Sequence, residues 1–217
     1  MAQQERAQQT RDRLVEGAAR VFHRLGYGLA TTADIAREAE ATRGALYFHF
    51  DSKEELARAV IAREQELAIE ASGRILSLER PPFETMLLMC VDLAERLQSD
   101  PIVKAGIRLT TEITQFDPPL LAPYEGWMTA FGELARQAVA AGEFRPDVDT
   151  AAFARMLIPA YTGIQLVSDV FSGRADLLSR IRDLWLFLIP AVVPDDRMGD
   201  ARELIDSLIP ADTKTDI

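Results

Sequence analysis

Residues 30–56 read ATTADIAREAEATRGALYFHFDSKEEL, and this stretch decides how the rest of the chain is understood. Two short helical patterns lie back to back in it. Thr32 is a helix N-cap type, and Ile35, Ala36 and Ala39 follow as an apolar stripe on a short helix. Thr42 is a second N-cap candidate, and Ala45, Leu46 and Phe50 trace the buried side of the next helix. The break at Glu40-Ala41 has room only for a tight helix–helix turn. That is the layout of a helix-turn-helix, whose second helix lies in the major groove of DNA.

The surrounding sequence sets the frame for this motif. The chain has 217 residues, enough for one large domain or two small ones with a real core. At 48% hydrophobic and 27% charged it reads as globular. Cys90 is the one cysteine, so no intrachain disulfide can form, which suits a reducing cytoplasm. No apolar run is long enough to span a membrane, and MAQQERAQQTRDR lacks the apolar core of a signal peptide, so a cytoplasmic protein without membrane contact is expected. The net charge is −10, yet residues 1–60 carry nine Lys and Arg against nine Asp and Glu. The acidic excess therefore lies wholly in the remainder. A neutral head on an acidic body binds DNA only through a focused patch, and steeply with salt.

Helical periodicity runs through the whole chain, so the fold is expected to be all-α. Residues 8–25 form an amphipathic helix, with Leu14, Ala18, Val21, Phe22 and Leu25 on one face and Gly26 as its stop. With the helix-turn-helix it completes a three-helix head, residues 1–52. Arg6, Arg11 and Arg13 are a solvated face or a phosphate-contacting arm. Ser52 can cap the next helix with Glu55 as its capping-box partner, and that helix runs over residues 53–78 to the stop at Pro81-Pro82. Further helices are expected over residues 83–97, 102–116, 120–141, 150–171, 177–193 and 198–208. Asp117-Pro118-Pro119 separates the second from the third of these, Asp149 or Thr150 caps the fourth, and residues 210–217 form a frayed tail. Residues 53–217 then make a helical ligand-binding and dimerisation body.

The motif carries a resemblance. The opening threonines, the Ile35-Ala36 pair, the Gly-x-Leu-Tyr-x-His-Phe run from Gly44 to Phe50 and Ser52-Lys53-Glu54-Glu55-Leu56 resemble the DNA-binding signature of TetR-type transcriptional repressors. Over most of its length the chain is similar to the γ-butyrolactone receptor branch of that family, the autoregulator receptors of antibiotic-producing actinobacteria. The family usually has Gly-Val-Ser in the turn, where this chain has Glu40-Ala41-Thr42. A left-handed Glu40 costs roughly 1 kcal/mol relative to glycine.

The resemblance implies a set of DNA contacts. Thr42 and Arg43 stand at the leading end of the recognition helix, and an arginine can grip guanine O6 and N7 with a bidentate fork. Gly44 lets the backbone come close to phosphate or base. Ala45 and Phe48 are expected against thymine methyl groups, Tyr47 and His49 against phosphate, Thr32 as a backbone anchor and Lys53 as a phosphate contact. Each has a plainer reading: Tyr47 as a half-buried packing ring, His49 as a hydrogen-bonding group within the head, Lys53 as a surface lysine.

The resemblance also implies a sensor in the body. In that branch a tryptophan stacks on a lactone or butenolide with an alkyl tail, and Trp127 occupies the matching position, followed by Phe131. Pro159 inside a helix forces a kink beside Tyr161, Thr162 and Gly163, and a kink beside hydroxyl groups can open a ligand cavity. Thr162, then Gln65 on the connecting helix, are the expected hydrogen-bond partners of the ring. Ordinary core packing for the aromatic stripe, and a purely structural kink, are the competing readings.

Two half-sites one turn of DNA apart call for a two-fold dimer on a palindromic operator. Ile158, Ile164, Val167 and Phe171 on one helix, with Leu177, Ile181, Leu184, Leu188 and Val192 on the next, are the expected interface. Effector binding then shifts the connecting helix and respaces the heads. No cofactor or metal is expected, and no enzyme: both histidines lie in the head and no acid–base pair stands out. A regulator of the same fold answering to an antibiotic or another small molecule is the first alternative, and a helical dimeric adaptor without a DNA role the second.

Overall fold

Helices whose apolar residues recur every three or four positions need a second surface to cover that stripe. The computed structural model describes residues 2–112 and 122–211, and among them every regular element is helical. They are α1 (Ala2–Leu29), α2 (Thr32–Glu38), α3 (Arg43–His49), α4 (Lys53–Leu76), α5 (Pro82–Ser99), α6 (Pro101–Glu112), α7 (Ala122–Ala140), α8 (Thr150–Ser172), α9 (Leu177–Val192) and α10 (Met198–Leu208), with a 3-10 turn at Asp195–Arg197. The all-α expectation holds. No helix among the described residues is long and apolar enough to cross a membrane. The expected helix end at residue 116, the Asp117-Pro118-Pro119 break and the tail beyond residue 211 lie outside the described residues.

The chain divides into two compact units. The first is Met1–Glu70 with Ser99–Leu120, and the second is Ala71–Gln98 with Leu121–Ile217. The first unit thus takes in α6, which sequence order places between two helices of the second.

In the first unit, Leu14, Ala18, Val21 and Phe22 of α1 are fully buried, and so are Ile35, Leu46, Leu56 and Val60 of the following helices. Ile102, Ala105 and Leu109 of α6 close the same core. Helix α1 begins at Ala2, six residues before the expected start at residue 8, because Gln, Arg and Glu favour helix without needing burial. At Gly26 the backbone turns to φ 74° and ψ 168°, which breaks the helix where the sequence places its stop. Gly17 allows α1 to close on α2, since a Cβ there would stand 2.8 Å from that of Ala39. Arg20 and Arg24 then tie α1 to Glu38, with contacts of 2.9 and 3.3 Å. The Arg20 hydrogen bond, against partial burial, holds the Glu38 carboxyl below its usual range.

The second unit is built around an aromatic cluster. Trp185 lies fully buried, 5.6 Å from Phe83 and 6.2 Å from Phe153, and Phe144 joins at 5.7 Å from Phe83. Asp149 caps α8 by accepting the Ala152 N–H. Helix α8 runs unbroken through Pro159 and ends at Gly173, φ 61°. The next residue, Arg174, is buried, and its guanidinium reaches back to Gln165 Oε1 at 3.0 and 3.2 Å. The Gln98 amide donates to the Arg174 carbonyl at 2.7 Å, so α5 is pinned to the α8–α9 turn. Asp176 completes the turn. Its carboxylate accepts from Ser168 and Ser172 and pairs with Arg180 at 2.6 Å.

The expected dimer stripe needs correction on α9. Leu177, Ile181, Leu188 and Val192 are buried within the second unit, whereas Phe187 is 85% exposed. Helix α9 is apolar on more than one face, and periodicity alone cannot say which face turns inward. On α8, Val167 and Phe171 are exposed as expected, and Val170 is exposed with them.

Burial works against the Asp176 charge, but the two serine hydroxyls and Arg180 outweigh it and hold the pKa at about 2, below the ordinary 3.8. A carboxyl depressed in the folded state adds stability above its unfolded pKa, and this is lost as pH falls through the folded value. Asp176→Asn should therefore lower stability at pH 7 by about 2 kcal/mol and flatten the loss between about pH 4 and 2. Urea midpoints across that range measure it, and a wild-type acid profile in the variant would contradict it.

Candidate nucleic-acid interface and effector site

What turns α3 outward is the burial of its back. Leu46 and Phe50 are 0% and 1% exposed. Thr42 caps the helix by accepting the Ala45 N–H at 3.0 Å, so Arg43 is its first residue. On the opposite face Arg43 and Gly44 are exposed, Tyr47 is 54% exposed and Phe48 80%. Ala45 and His49 are half-buried, and the His49 and Phe48 rings meet edge-on at 5.1 Å. A Cβ on Gly44 would meet only Thr42 Oγ1, at 3.8 Å, so the space over it opens outward. The Tyr47 hydroxyl lies 3.2 Å from Thr32 Oγ1, which ties the start of α2 to the middle of α3.

The cap of α2 is Thr31, not Thr32: its hydroxyl accepts the Asp34 N–H at 3.1 Å. Thr32 is the first helical residue. The Thr31-x-x-Asp34 spacing carries the signal for this, since a capping residue and an acid three positions on mark a helix start. The turn between α2 and α3 closes as a Schellman motif. The Ala41 N–H donates to the Ala36 carbonyl at 2.9 Å, and the Glu40 N–H to that of Arg37 at 3.2 Å. Glu40 sits in the left-handed region at φ 51°, as the comparison with glycine anticipates.

After α3, Ser52 accepts the Glu55 N–H at 3.1 Å, while the Glu55 carboxylate accepts from Asp51 N at 2.7 Å. The box is therefore closed one residue earlier than its usual form. Lys53 points its ammonium at the Tyr27 and Ala30 carbonyls, 2.8 and 3.1 Å away, and 4.3 Å from the Tyr27 ring centroid. It fixes the end of α1, with two of its three donors on these carbonyls.

The residues read as an effector site divide between the two units. Gln65 is half-buried on α4 in the first unit. Trp127, Phe131, Tyr161 and Thr162 belong to the second. Trp127 is half-buried and Phe131 buried, with ring centroids 6.1 Å apart and planes tilted by 56°. Tyr161 is buried and donates its hydroxyl to the Cys90 carbonyl at 2.8 Å, and Thr162 donates to Ile158 O at 2.9 Å. Both hydroxyls thus already have partners within the protein. Burial raises the Cys90 thiol to about 12, which leaves it a packing residue and not a nucleophile. Trp185, which sequence reasoning passed over, is the tryptophan of the core.

Residues 14–60 match the bacterial regulatory proteins of the tetR family, and residues 81–194 match the tetracyclin repressor-like C-terminal domain. The chain is 35% identical over 192 residues to the A-factor receptor protein of Streptomyces griseus, covering 88% of this chain and 67% of that protein. A crystal structure of an ArpA-like γ-butyrolactone receptor superposes with a TM-score of 0.79 at 27% identity, covering 94% of this chain and 97% of the other. The TetR-family protein CprB of Streptomyces coelicolor, solved in complex with its operator sequence, superposes at 0.83 with 28% identity over 95% and 100% of the two chains.

Glu40→Gly should relieve the left-handed strain and raise stability by up to about 1 kcal/mol, a rise of about 2–4 °C in the thermal midpoint. Calorimetry reads this directly, and an unchanged or lower midpoint would mean that the turn is not strained.

Proposed function

The chain belongs to the tetR family of bacterial regulatory proteins, and from that premise we propose how it works and what it answers to. It is a DNA-binding transcriptional repressor of the TetR type that responds to a small molecule. We assign base reading to Arg43 at the tip of α3, with Thr42, Gly44, Ala45 and Phe48 lining the groove and Thr32, Tyr47, His49 and Lys53 holding phosphates. The observation that carries this reading is the contrast across α3, sealed behind by Leu46 and Phe50 and open in front, where Arg43, Tyr47 and Phe48 are exposed. Backbone contacts set the register and the arginine fork supplies discrimination.

The partner is a second copy of the chain bound to a palindromic operator. Val167, Val170 and Phe171 of α8 and Phe187 of α9 are 45%, 85%, 77% and 85% exposed, an apolar stripe of the kind that a stable dimer covers. The effector is a lactone or butenolide with an alkyl tail, seated against Trp127 and Phe131 in the second unit, with Tyr161 and Thr162 as candidate neighbours. The similarity to the A-factor receptor and the γ-butyrolactone receptor supports that class. By linkage, whatever factor the effector takes from operator affinity, the operator takes from effector affinity. A different small molecule in the same place is the competing reading.

Arg43→Ala should cost about 1–3 kcal/mol of operator affinity while leaving affinity for scrambled duplex nearly unchanged. Gel-shift titration on a duplex that the wild type selects from a random pool decides this, and equal loss on both duplexes would remove Arg43 as a base reader. Phe187→Asp should sediment as a folded monomer at micromolar concentration and lose half-site cooperativity; a dimer of unchanged strength would move the interface elsewhere. Trp127→Phe should bind the operator as wild type does and weaken its release by a γ-butyrolactone several-fold, in line with about 0.5–1.5 kcal/mol for an aromatic contact. A wild type that no γ-butyrolactone removes from DNA would favour the other effector class.

A further inference from the structure

The segment from Gly26 to Ala30 leads straight into the cap of α2, and within the first unit it is gripped from two helices. From α4, Lys53 takes the carbonyls of Tyr27 and Ala30. From α6, Arg108 donates Nη1 to the His23 carbonyl at 2.6 Å and Nε to Glu112 Oε1 at 2.5 Å. The other carboxylate oxygen of Glu112 accepts the Tyr27 N–H at 3.1 Å. Gly26 makes the space for this pair. A Cβ there would lie 2.8 Å from Arg108 Nη2 and 3.1 and 3.2 Å from the Glu112 oxygens, and its φ of +74° already disfavours a side chain.

The grip falls where it can steer the recognition helix. Arg108 fixes the His23 carbonyl, one turn before the Gly26 break, and Glu112 fixes the first N–H after it. Four residues on from Tyr27, Thr31 caps α2, and Thr32 meets the Tyr47 hydroxyl of α3. Tyr27 is thereby linked through α2 to the helix that bears Arg43. Both side chains are about two-thirds buried, at 32% and 34% exposure, so the pair is shielded from the solvent screening that weakens surface ion pairs. Helix α6 sits between α5 and α7 in sequence, yet it belongs to the unit of the helix-turn-helix.

We propose that Arg108 and Glu112 are positioning residues for operator recognition, which set the placement of α2 and α3 without touching DNA. The proposal rests on the reading of α3 as the base reader. It separates two quantities that direct contact would change together: discrimination between duplexes falls, while attraction to DNA as a polyanion stays.

The test uses the full chain, the palindromic duplex that the wild type recovers from a random pool, and a scrambled duplex of the same composition. Arg108→Met and Glu112→Gln should each raise the dissociation constant for the palindrome about tenfold, the loss of one or two charge-assisted hydrogen bonds. Affinity for the scrambled duplex should stay within twofold, and the slope of log affinity against log salt should not change. Glu112→Gln keeps the side-chain size and an acceptor for Tyr27, so it carries the test if Arg108→Met loses the wild-type helical signal. Equal losses on both duplexes, or a salt slope reduced by about one in Arg108→Met, would make Arg108 a phosphate contact and overturn the proposal. So would unchanged discrimination in the folded variants. A wild type that recovers no duplex at all would instead reject the DNA-binding reading itself.

Discussion

The burial of Leu46 and Phe50 is the constraint on which the head depends. Each contributes about 1.5–3 kcal/mol when sealed from water, and together they fix the rotation of a helix only seven residues long. So short a helix is not stable alone, so its direction must come from packing. With that face sealed, Arg43, Gly44, Tyr47 and Phe48 have nowhere to point but outward. The rest of the first unit holds this arrangement in place. Gly17 lets α1 close on α2, Glu38 joins α2 to Arg20 and Arg24, and the Tyr47–Thr32 hydroxyl pair joins α3 to α2.

The second unit solves a different problem. It seals its own core with aromatic rings around Trp185, and still leaves Val170, Phe171 and Phe187 in water. The α8–α9 turn is stiffened by polar contacts, buried Arg174 on Gln165 and half-buried Asp176 on two serines. A stiff hairpin with an open apolar stripe suits a surface that meets its own copy, as proposed above.

Much of this was legible in the sequence, because the signals were local. Thr42, the Ile35-Ala36 pair and the Leu46/Phe50 spacing define the helix-turn-helix, and Gly26 and Asp149 sit where helices stop or start. The left-handed Glu40 follows from asking what a glycine would do at that position. What was not legible depends on partners distant in the chain. Nothing in the spacing of α9 says that Leu177 and Ile181 turn inward and Phe187 outward, since both faces are apolar. Nothing near Lys53 announces that its ammonium meets carbonyls of residues 27 and 30. The hydroxyls of Tyr161 and Thr162 look free in the sequence and are bonded within the second unit. The membership of α6 in the first unit is likewise a matter of packing, invisible to any motif.

Helix α3, as proposed, carries sequence reading into the major groove. A methylation-protection footprint of guanine N7 on the duplex that the protein selects tests it most directly. Protected guanines are expected in the major groove of two half-sites, about ten base pairs apart or a multiple of that, centred on a two-fold axis. Protection confined to the sugar–phosphate backbone, with every guanine N7 still reactive, would contradict it.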